Sequence, residues 1–187
     1  MKRMLFLAAT ILLLAGQVNA QQHEIGAVAG GLNGASYKYW FSESLALQAD
    51  LAVGLSAPVG RMHIKGTYSG IDISGVSGFT TYSSWDFMAN PNVAYHWEVL
   101  DNFFVYAGGG TSIGFMGDLT ASPNYVFFKW GLNALGGVEY KLSEIPLALA
   151  FDFRPGYAIS VDNSTSGVHK HINMFDWKLA VAVRYCL

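Results

Sequence analysis

The chain has 187 residues, a net charge of −2, 52% hydrophobic residues and only 13% charged ones, against roughly 25% charged in an average soluble domain. That balance excludes a nucleic-acid-binding domain, which needs a basic surface, and a single cysteine, Cys186, excludes an internal disulfide. Beyond the N-terminal segment no run approaches the ~18 unbroken apolar residues of a membrane helix, so the apolar content is spread over alternate positions instead.

The N-terminal segment reads as a processing signal. Lys2 and Arg3 form a basic start, Met4 to Ala15 an apolar stretch, and Val18-Asn19-Ala20 places small residues at the −3 and −1 positions of a cleavage site. The expectation is export with cleavage after Ala20, leaving residues 21–187 as one domain.

In the remainder the dominant period is two, the period of a strand with one apolar side. Eight strands follow in chain order, over roughly 24–32, 35–41, 45–57, 84–97, 103–115, 126–141, 147–159 and 173–186. In the third, Leu45, Leu47, Ala49, Leu51, Val53 and Leu55 oppose Gln48 and Asp50. In the fourth, Trp85, Phe87, Ala89, Val93, Tyr95 and Trp97 oppose Asp86, Asn90, Asn92 and His96. Phe128, Trp130, Leu132, Ala134, Val138 and Tyr140 then oppose Lys129, Asn133 and Glu139; Leu147, Leu149, Phe151 and Phe153 oppose Asp152 and Arg154. The last strand sets Phe175, Trp177, Leu179, Val181, Val183 and Tyr185 against Asp176, Lys178 and Arg184.

Connections alternate in length. Those at 42–44, 99–102 and 142–146 are short, whereas 58–83, 116–125 and 160–172 are long and rich in Gly, Ser, Thr and Asn. The first connection, around Asn33-Gly34, carries a hairpin signal. Short turns at one end and longer loops at the other are the habit of outer-membrane barrels.

Three features direct the apolar face toward lipid. The polar faces hold few charges, of mixed sign, among small residues. The strands are longer than the ~9–11 residues that cross a bilayer with tilt. Aromatics gather at both strand ends as girdles: Tyr39, Tyr95, Trp97, Tyr140 and Tyr185 at the short-turn end, Trp85, Trp130 and Trp177 toward the loops. The fold class is therefore all-β, a transmembrane antiparallel up-and-down barrel of about eight strands. Its interior is just wide enough for side chains to fill, and Asp50, Asp86, Lys129, Glu139, Asp152, Arg154, Asp176, Lys178 and Arg184 are expected to pair there as a charge network.

The signal, the strand count and the closing strand Phe175-Asp-Trp-Lys-Leu-Ala-Val-Ala-Val-Arg-Tyr-Cys-Leu187 resemble the small eight-stranded outer-membrane proteins of the OmpA/OmpX type, often grouped as a porin family. The resemblance implies an integral outer-membrane location with periplasmic termini. It implies partners in outer-membrane lipid, lipopolysaccharide and the barrel-assembly machinery, which reads such a closing strand; here the last residue is Leu187 and the nearest aromatic is Tyr185. Fold of this kind does not choose a function. The leading expectation is a non-enzymatic barrel that supports the envelope and presents loops to an extracellular partner; the alternatives are a narrow solute channel and a lipid-A-modifying enzyme.

No residue set commands a chemistry. His63, Ser83 and Ser84 lie in or near the long second loop, with no His-x-Ser arrangement on a strand and no nucleophile elbow. Gly108-Gly109-Gly110 is followed by no helix, so phosphate-loop logic fails. His169 and His171 share one face of an extended segment, but no third ligand is evident, and an exposed polar loop is the reading. No catalytic residue, cofactor or metal is expected. The loop over 58–83 carries Arg61, His63 and Lys65 and then alternates over Ile71-Asp72-Ile73-Ser74, which marks it as a protruding hairpin and a candidate contact surface, with basic residues suited to lipopolysaccharide phosphates.

Overall fold

A computed structural model describes residues 22–56, 59–68, 71–81, 84–118, 126–161 and 168–187, with side chains over 22–55, 84–117, 126–160 and 173–187. The expected signal segment lies outside the described residues. Among the described residues ten strands occur in chain order: β1 (His23–Gly30), β2 (Asn33–Trp40), β3 (Leu45–Ser56), β4 (Val59–Tyr68), β5 (Ile71–Thr81), β6 (Ser84–Leu100), β7 (Phe103–Asp118), β8 (Val126–Lys141), β9 (Leu147–Val161) and β10 (Val168–Cys186). Every pairing is antiparallel. Eight of them, β1-β2-β3-β6-β7-β8-β9-β10, follow one another around a ring that closes when β10 pairs with β1, from Glu24↔Cys186 to Gly30↔Ala180.

Strand alternation sorts the side chains by polarity, in the sense opposite to a water-soluble protein. On β9, Leu149, Phe151 and Phe153 are 43–46% exposed, whereas Ala148, Ala150, Asp152 and Arg154 between them are at most 4% exposed. On β10, Leu179, Val181, Val183 and Tyr185 are exposed while Ala180, Ala182 and Arg184 are buried. A continuous apolar belt outside and buried ions inside is a surface made for hydrocarbon, since soluble proteins do not expose patches of that size. The molecule is a transmembrane, antiparallel, up-and-down barrel of eight strands.

The ring is uneven in height. β1 and β2 have eight residues each, whereas β10 has nineteen. β10 therefore outgrows its partner β1, and the unpaired edge of its upper half would leave backbone donors and acceptors unmet. The hairpin β4–β5, from the long second loop, meets that need: β4 pairs with β10 from Val168↔Gly66 to Phe175↔Val59. β5 pairs with β4 and ends the sheet. With a partner on each edge, β10 begins at Val168 and β9 runs to Val161, inside what the sequence suggested was a loop over 160–172.

The first turn also differs from expectation. Asn33 and Gly34 are already paired with Val53 and Ala52 in the sheet, and the turn falls at Gly31-Leu32. Gly30 supplies the left-handed backbone (φ 122°) that the turn needs. The Asn33 amide clamps it, Nδ2 donating to the Gly30 carbonyl at 2.9 Å and Oδ1 accepting from the Gly30 N–H at 3.2 Å.

Two ladders are interrupted at mid-barrel. β6–β7 pairing skips Asn90 and Pro91, and β8–β9 pairing skips Ala134 and Leu135, opposite Pro155 and Arg154, without any change of register. Proline has no N–H to give a ladder. Pro91 and Pro155 keep their partners on the other edge, Ala49 and Trp177. The β7–β8 pair, continuous from Phe103 to Gly117, is thus flanked on both sides by a weakened seam.

Because the belt faces lipid, a charge placed in it is costly according to depth. Val181→Arg, mid-strand on the outer face, is expected to destabilise the barrel by about 2–4 kcal/mol, and Leu100→Arg at the turn end by about 0–1 kcal/mol. Equilibrium unfolding in urea from lipid vesicles measures both.

Candidate functional site: the interior charge network

The interior is built by the inward half of each strand, and small residues make it possible. Ala46, Ala52, Ala94, Ala148, Ala150, Ala158, Ala180 and Ala182 are all buried, leaving room for long polar side chains in a barrel of this width. The polar groups form three tiers.

Nearest the long connections, Lys129 and Lys178 share two carboxylates. Lys129 Nζ lies 2.9 Å from Asp86 Oδ2 and 3.1 Å from Asp176 Oδ2; Lys178 Nζ lies 2.8 Å and 3.1 Å from the same two atoms. Below it is a ring of amides and a hydroxyl. Ser112 Oγ donates to Asn90 Oδ1 at 2.6 Å, Asn133 donates to Asn92 Oδ1, and Asn92 Nδ2 donates at 3.0 Å to the Asn90 carbonyl, beside the ladder gap at Pro91.

The middle tier centres on Arg154, which pairs with Asp50 (2.6 Å) and Asp152. Gln48 Nε2 donates to Asp152 at 3.0 Å. The Tyr106 hydroxyl also donates to Asp152. That reach depends on Gly137, which sits between them in the sheet: Tyr106 pairs with Gly137, and Gly137 with Asp152. A Cβ at 137 would overlap the Tyr106 ring.

Toward the short turns, Glu139 accepts from Lys38 and from Arg184 (3.1 Å), and Arg184 Nε also donates to Ser36 Oγ at 2.9 Å. Glu24 takes the Trp40 indole N–H at 2.7 Å and Lys141 at 3.2 Å. Lys141 in turn lies 4.3 Å from the Trp40 ring centroid. His96 stacks on Tyr106 and sits 3.3 Å from Lys38.

The ion-paired groups among the described residues are six carboxylates (Glu24, Asp50, Asp86, Glu139, Asp152, Asp176) and six cations (Lys38, Lys129, Lys141, Arg154, Lys178, Arg184), so they sum to zero. All nine charged residues named from the sequence face inward in this network. Three members were not named: Glu24, Lys38 and Lys141. Lys38 is wholly buried. The parity of Ser36, Lys38 and Trp40 against Tyr37 and Tyr39 was the available signal, in a strand of only eight residues.

Among the girdle aromatics, Tyr95, Trp97, Tyr140 and Tyr185 are exposed near the short turns, and Trp130 and Trp177 toward the other end. Tyr39 and Trp85 are half-buried. Tyr95 packs on Trp97 at 5.0 Å between centroids. Arg61, His63 and Lys65 lie on β4, away from the interior network, at backbone positions opposite Asn173, His171 and His169.

A cavity of about 30 Å³ lies among Asn90, Ser112, Lys129, Asn133, Arg154 and Asp176, room for a water or two. A wider hollow of about 970 Å³ opens at the short-turn end, between Trp40, Phe104, Lys141 and Leu187. What the arrangement does chemically is neutralise and fill. Among the residues whose side chains are described, no group of three or more His, Cys, Asp or Glu is placed to hold a metal.

Two substitutions test the network. Glu139→Ala strands Lys38 and Arg184 without their shared acceptor and is expected to cost about 3–5 kcal/mol in urea unfolding. Gly137→Val meets both the Phe151 carbonyl and the Tyr106 ring, so it is expected to drive Tyr106 off Asp152 at a cost of about 1–3 kcal/mol or more for the overpacking; Tyr106→Phe in the same background should then add little, because the hydroxyl has already lost its acceptor.

No protein-family model matches the chain, and no curated protein matches it. Among solved structures it is similar to the crystal structure of Ail, the attachment invasion locus protein of Yersinia pestis, at 13% identity and a TM-score of 0.32, over 87% of this chain and 93% of that one. A second crystal structure of Ail, in complex with the heparin analogue sucrose octasulfate, is similar at 11% identity and a TM-score of 0.32, over 87% and 94% of the two chains.

Proposed function

We propose that this chain is a non-enzymatic integral barrel of a bacterial outer membrane that adds structure to the envelope and presents its long connections at the cell surface for contact with an extracellular partner. The termini and short turns lie on the periplasmic side in this reading, and the export signal ends at Ala20. Lipopolysaccharide and outer-membrane lipid surround the belt, and the barrel-assembly machinery inserts it.

The observation that carries the surface role is the β4–β5 hairpin. It is mounted on the upper half of β10, and β5 is the terminal strand of the sheet. A strand edge offers a row of backbone donors and acceptors to an extended segment of another protein. The neutral interior supports a structural role over conduction: paired, buried side chains occupy it from Lys129 and Lys178 down to Lys38 and Arg184.

Replacing residues 59–81 with a short Gly-Ser turn should leave a barrel that still shows heat-modifiable migration on gels, while binding of whole cells to host-cell or matrix surfaces falls to the level of cells lacking the gene. Undiminished binding would sink the surface-contact reading. In planar bilayers the purified protein is expected to be silent; discrete conductance steps would move the function to transport. Lipid A with an unchanged mass spectrum in the presence and absence of the gene is the outcome expected of a non-enzymatic protein.

A further inference from the structure

We propose that the hollow at the short-turn end of the barrel is a binding site for a linear aliphatic polyamine, a di- or triamine whose charges are spaced by methylenes. The hollow measures about 970 Å³, within the range of small-molecule pockets. Three carboxylates line it: Glu43 from the turn between β2 and β3, Glu98 from the end of β6, and Glu144 from the turn between β8 and β9. All three are exposed. In the ring order the first and third of these turns stand on opposite sides of the mouth, with Glu98 between them.

No base offsets this rim. Among the described residues lining the hollow the one cation is Lys141, and Glu24 meets it at 3.2 Å. The ion pairs of the interior below sum to zero. The floor is aromatic, with the Trp40 and Phe104 rings 6.3 Å apart between centroids, and Leu142, Ile145, Leu147 and Leu187 add apolar wall. Behind the floor, Glu24 is buried; its Oε1 serves both Trp40 and Lys141, while its Oε2 has no hydrogen-bond donor and lies 3.9 Å from Lys38 Nζ. A cleft lined by one sign of charge between low-dielectric walls focuses its field and concentrates counter-ions.

The spacing of the carboxylates decides the class of cation. Among the residues whose side chains are described, no three of His, Cys, Asp and Glu are grouped to hold a metal, so one metal ion cannot meet the whole rim. Glu98 is held in its place by its own turn, Oε1 accepting the Asn102 N–H at 3.0 Å. A ligand with several ammonium groups reaches separate carboxylates at once, and its methylene spacers lie against the apolar wall as lysine stems do. A hydrated metal ion has no apolar surface to offer, and a monoamine has no second charge. The site belongs to one end of the barrel and stands whichever side of the membrane that end faces.

The test uses the untagged protein folded in micelles of an uncharged detergent, with spermidine as the probe. Calorimetric titration should give one equivalent bound, and binding should weaken as sodium chloride is raised from about 50 to about 300 mM. Glu43→Gln, Glu98→Gln and Glu144→Gln should each weaken binding by about two- to fivefold, the worth of one exposed ion pair, and the triple variant by at least about tenfold. Asp101→Asn, beside Glu98 in sequence but outside the lining, should stay within about twofold of the parent. Butylamine, with one charge, should bind at least about tenfold more weakly than spermidine. Cys186, the sole cysteine, also lines the hollow, so spermidine should slow its alkylation by a maleimide in the parent but not in the triple variant. Heat-modifiable migration confirms that each variant is folded. A folded parent with no saturable binding of spermidine, or a triple variant that binds as the parent does, overturns the proposal. So does an Asp101→Asn variant weakened as much as Glu98→Gln, which would leave only a diffuse acidic field, and so does stoichiometric displacement of spermidine by magnesium chloride, which would assign the rim to a metal ion.

Discussion

An eight-stranded ring encloses a space that side chains can fill but that a column of water cannot easily occupy, and the rest of this structure depends on that limit. Every second residue of each strand points into the ring. Those residues have to be polar enough to leave the apolar complement outside in lipid, yet they must find partners in a space closed to bulk solvent. The solution is electroneutrality at short range. Asp86 and Asp176 with Lys129 and Lys178 balance as a closed square. The middle tier, two carboxylates around Arg154, carries one excess negative charge, and the lower tier of Lys38, Lys141 and Arg184 with Glu24 and Glu139 carries one excess positive charge. The two lower tiers are therefore neutral only together. Buried pairs of this kind contribute little net stability relative to well-packed apolar residues. In the observed register each of these ions meets an oppositely charged partner from another strand or from its own.

The same network lies beside the defects in the backbone ladders. Pro91 and Pro155 each remove a donor at mid-barrel, where lipid offers none in exchange. Side chains near both gaps belong to the interior network: Asn92 donates to the Asn90 carbonyl beside Pro91, and Arg154, adjacent to Pro155, anchors Asp50 and Asp152. Glycine serves the same network differently. Gly137 has no side chain so that Tyr106 can lie across the strand and reach Asp152. Backbone irregularity and polar packing are therefore parts of one arrangement.

Much of this was legible in the sequence because a strand has a period of two. The runs Leu45–Leu55 and Phe175–Tyr185 declare their faces by composition alone, and so the inward Asp50, Asp176, Lys178 and Arg184 could be named. β1 and β2 are too short to declare themselves, and Trp40, an aromatic on the inward face, blurs the parity that would have placed Glu24 and Lys38 inside. Which charge meets which was not legible, because ion pairs such as Lys38–Glu139 and Lys178–Asp86 link residues about a hundred positions apart, through a stagger that no local pattern encodes. The sequence points to Asn33-Gly34 because that pair satisfies a common hairpin rule, but the turn falls two residues earlier, where Gly30 supplies the positive φ of 122°.

The hairpin shows why loop function resists sequence reading while barrel architecture does not. Alternation over Ile71–Ser74 reveals strands, but their place depends on a mismatch elsewhere: eight residues in β1 against nineteen in β10. Had β1 been longer, it would have covered the β10 edge, and β4 would have had no dock. The same mismatch brings His63 opposite His171. A short first hairpin thus has two consequences at the far end of the barrel. It leaves an edge that recruits β4–β5 into the sheet, and it sets the backbones of two distant loops side by side. The matched portion of the ring is committed to lipid on one side and to its own charges on the other, so the mismatch in strand length is what frees chain for the proposed surface contact.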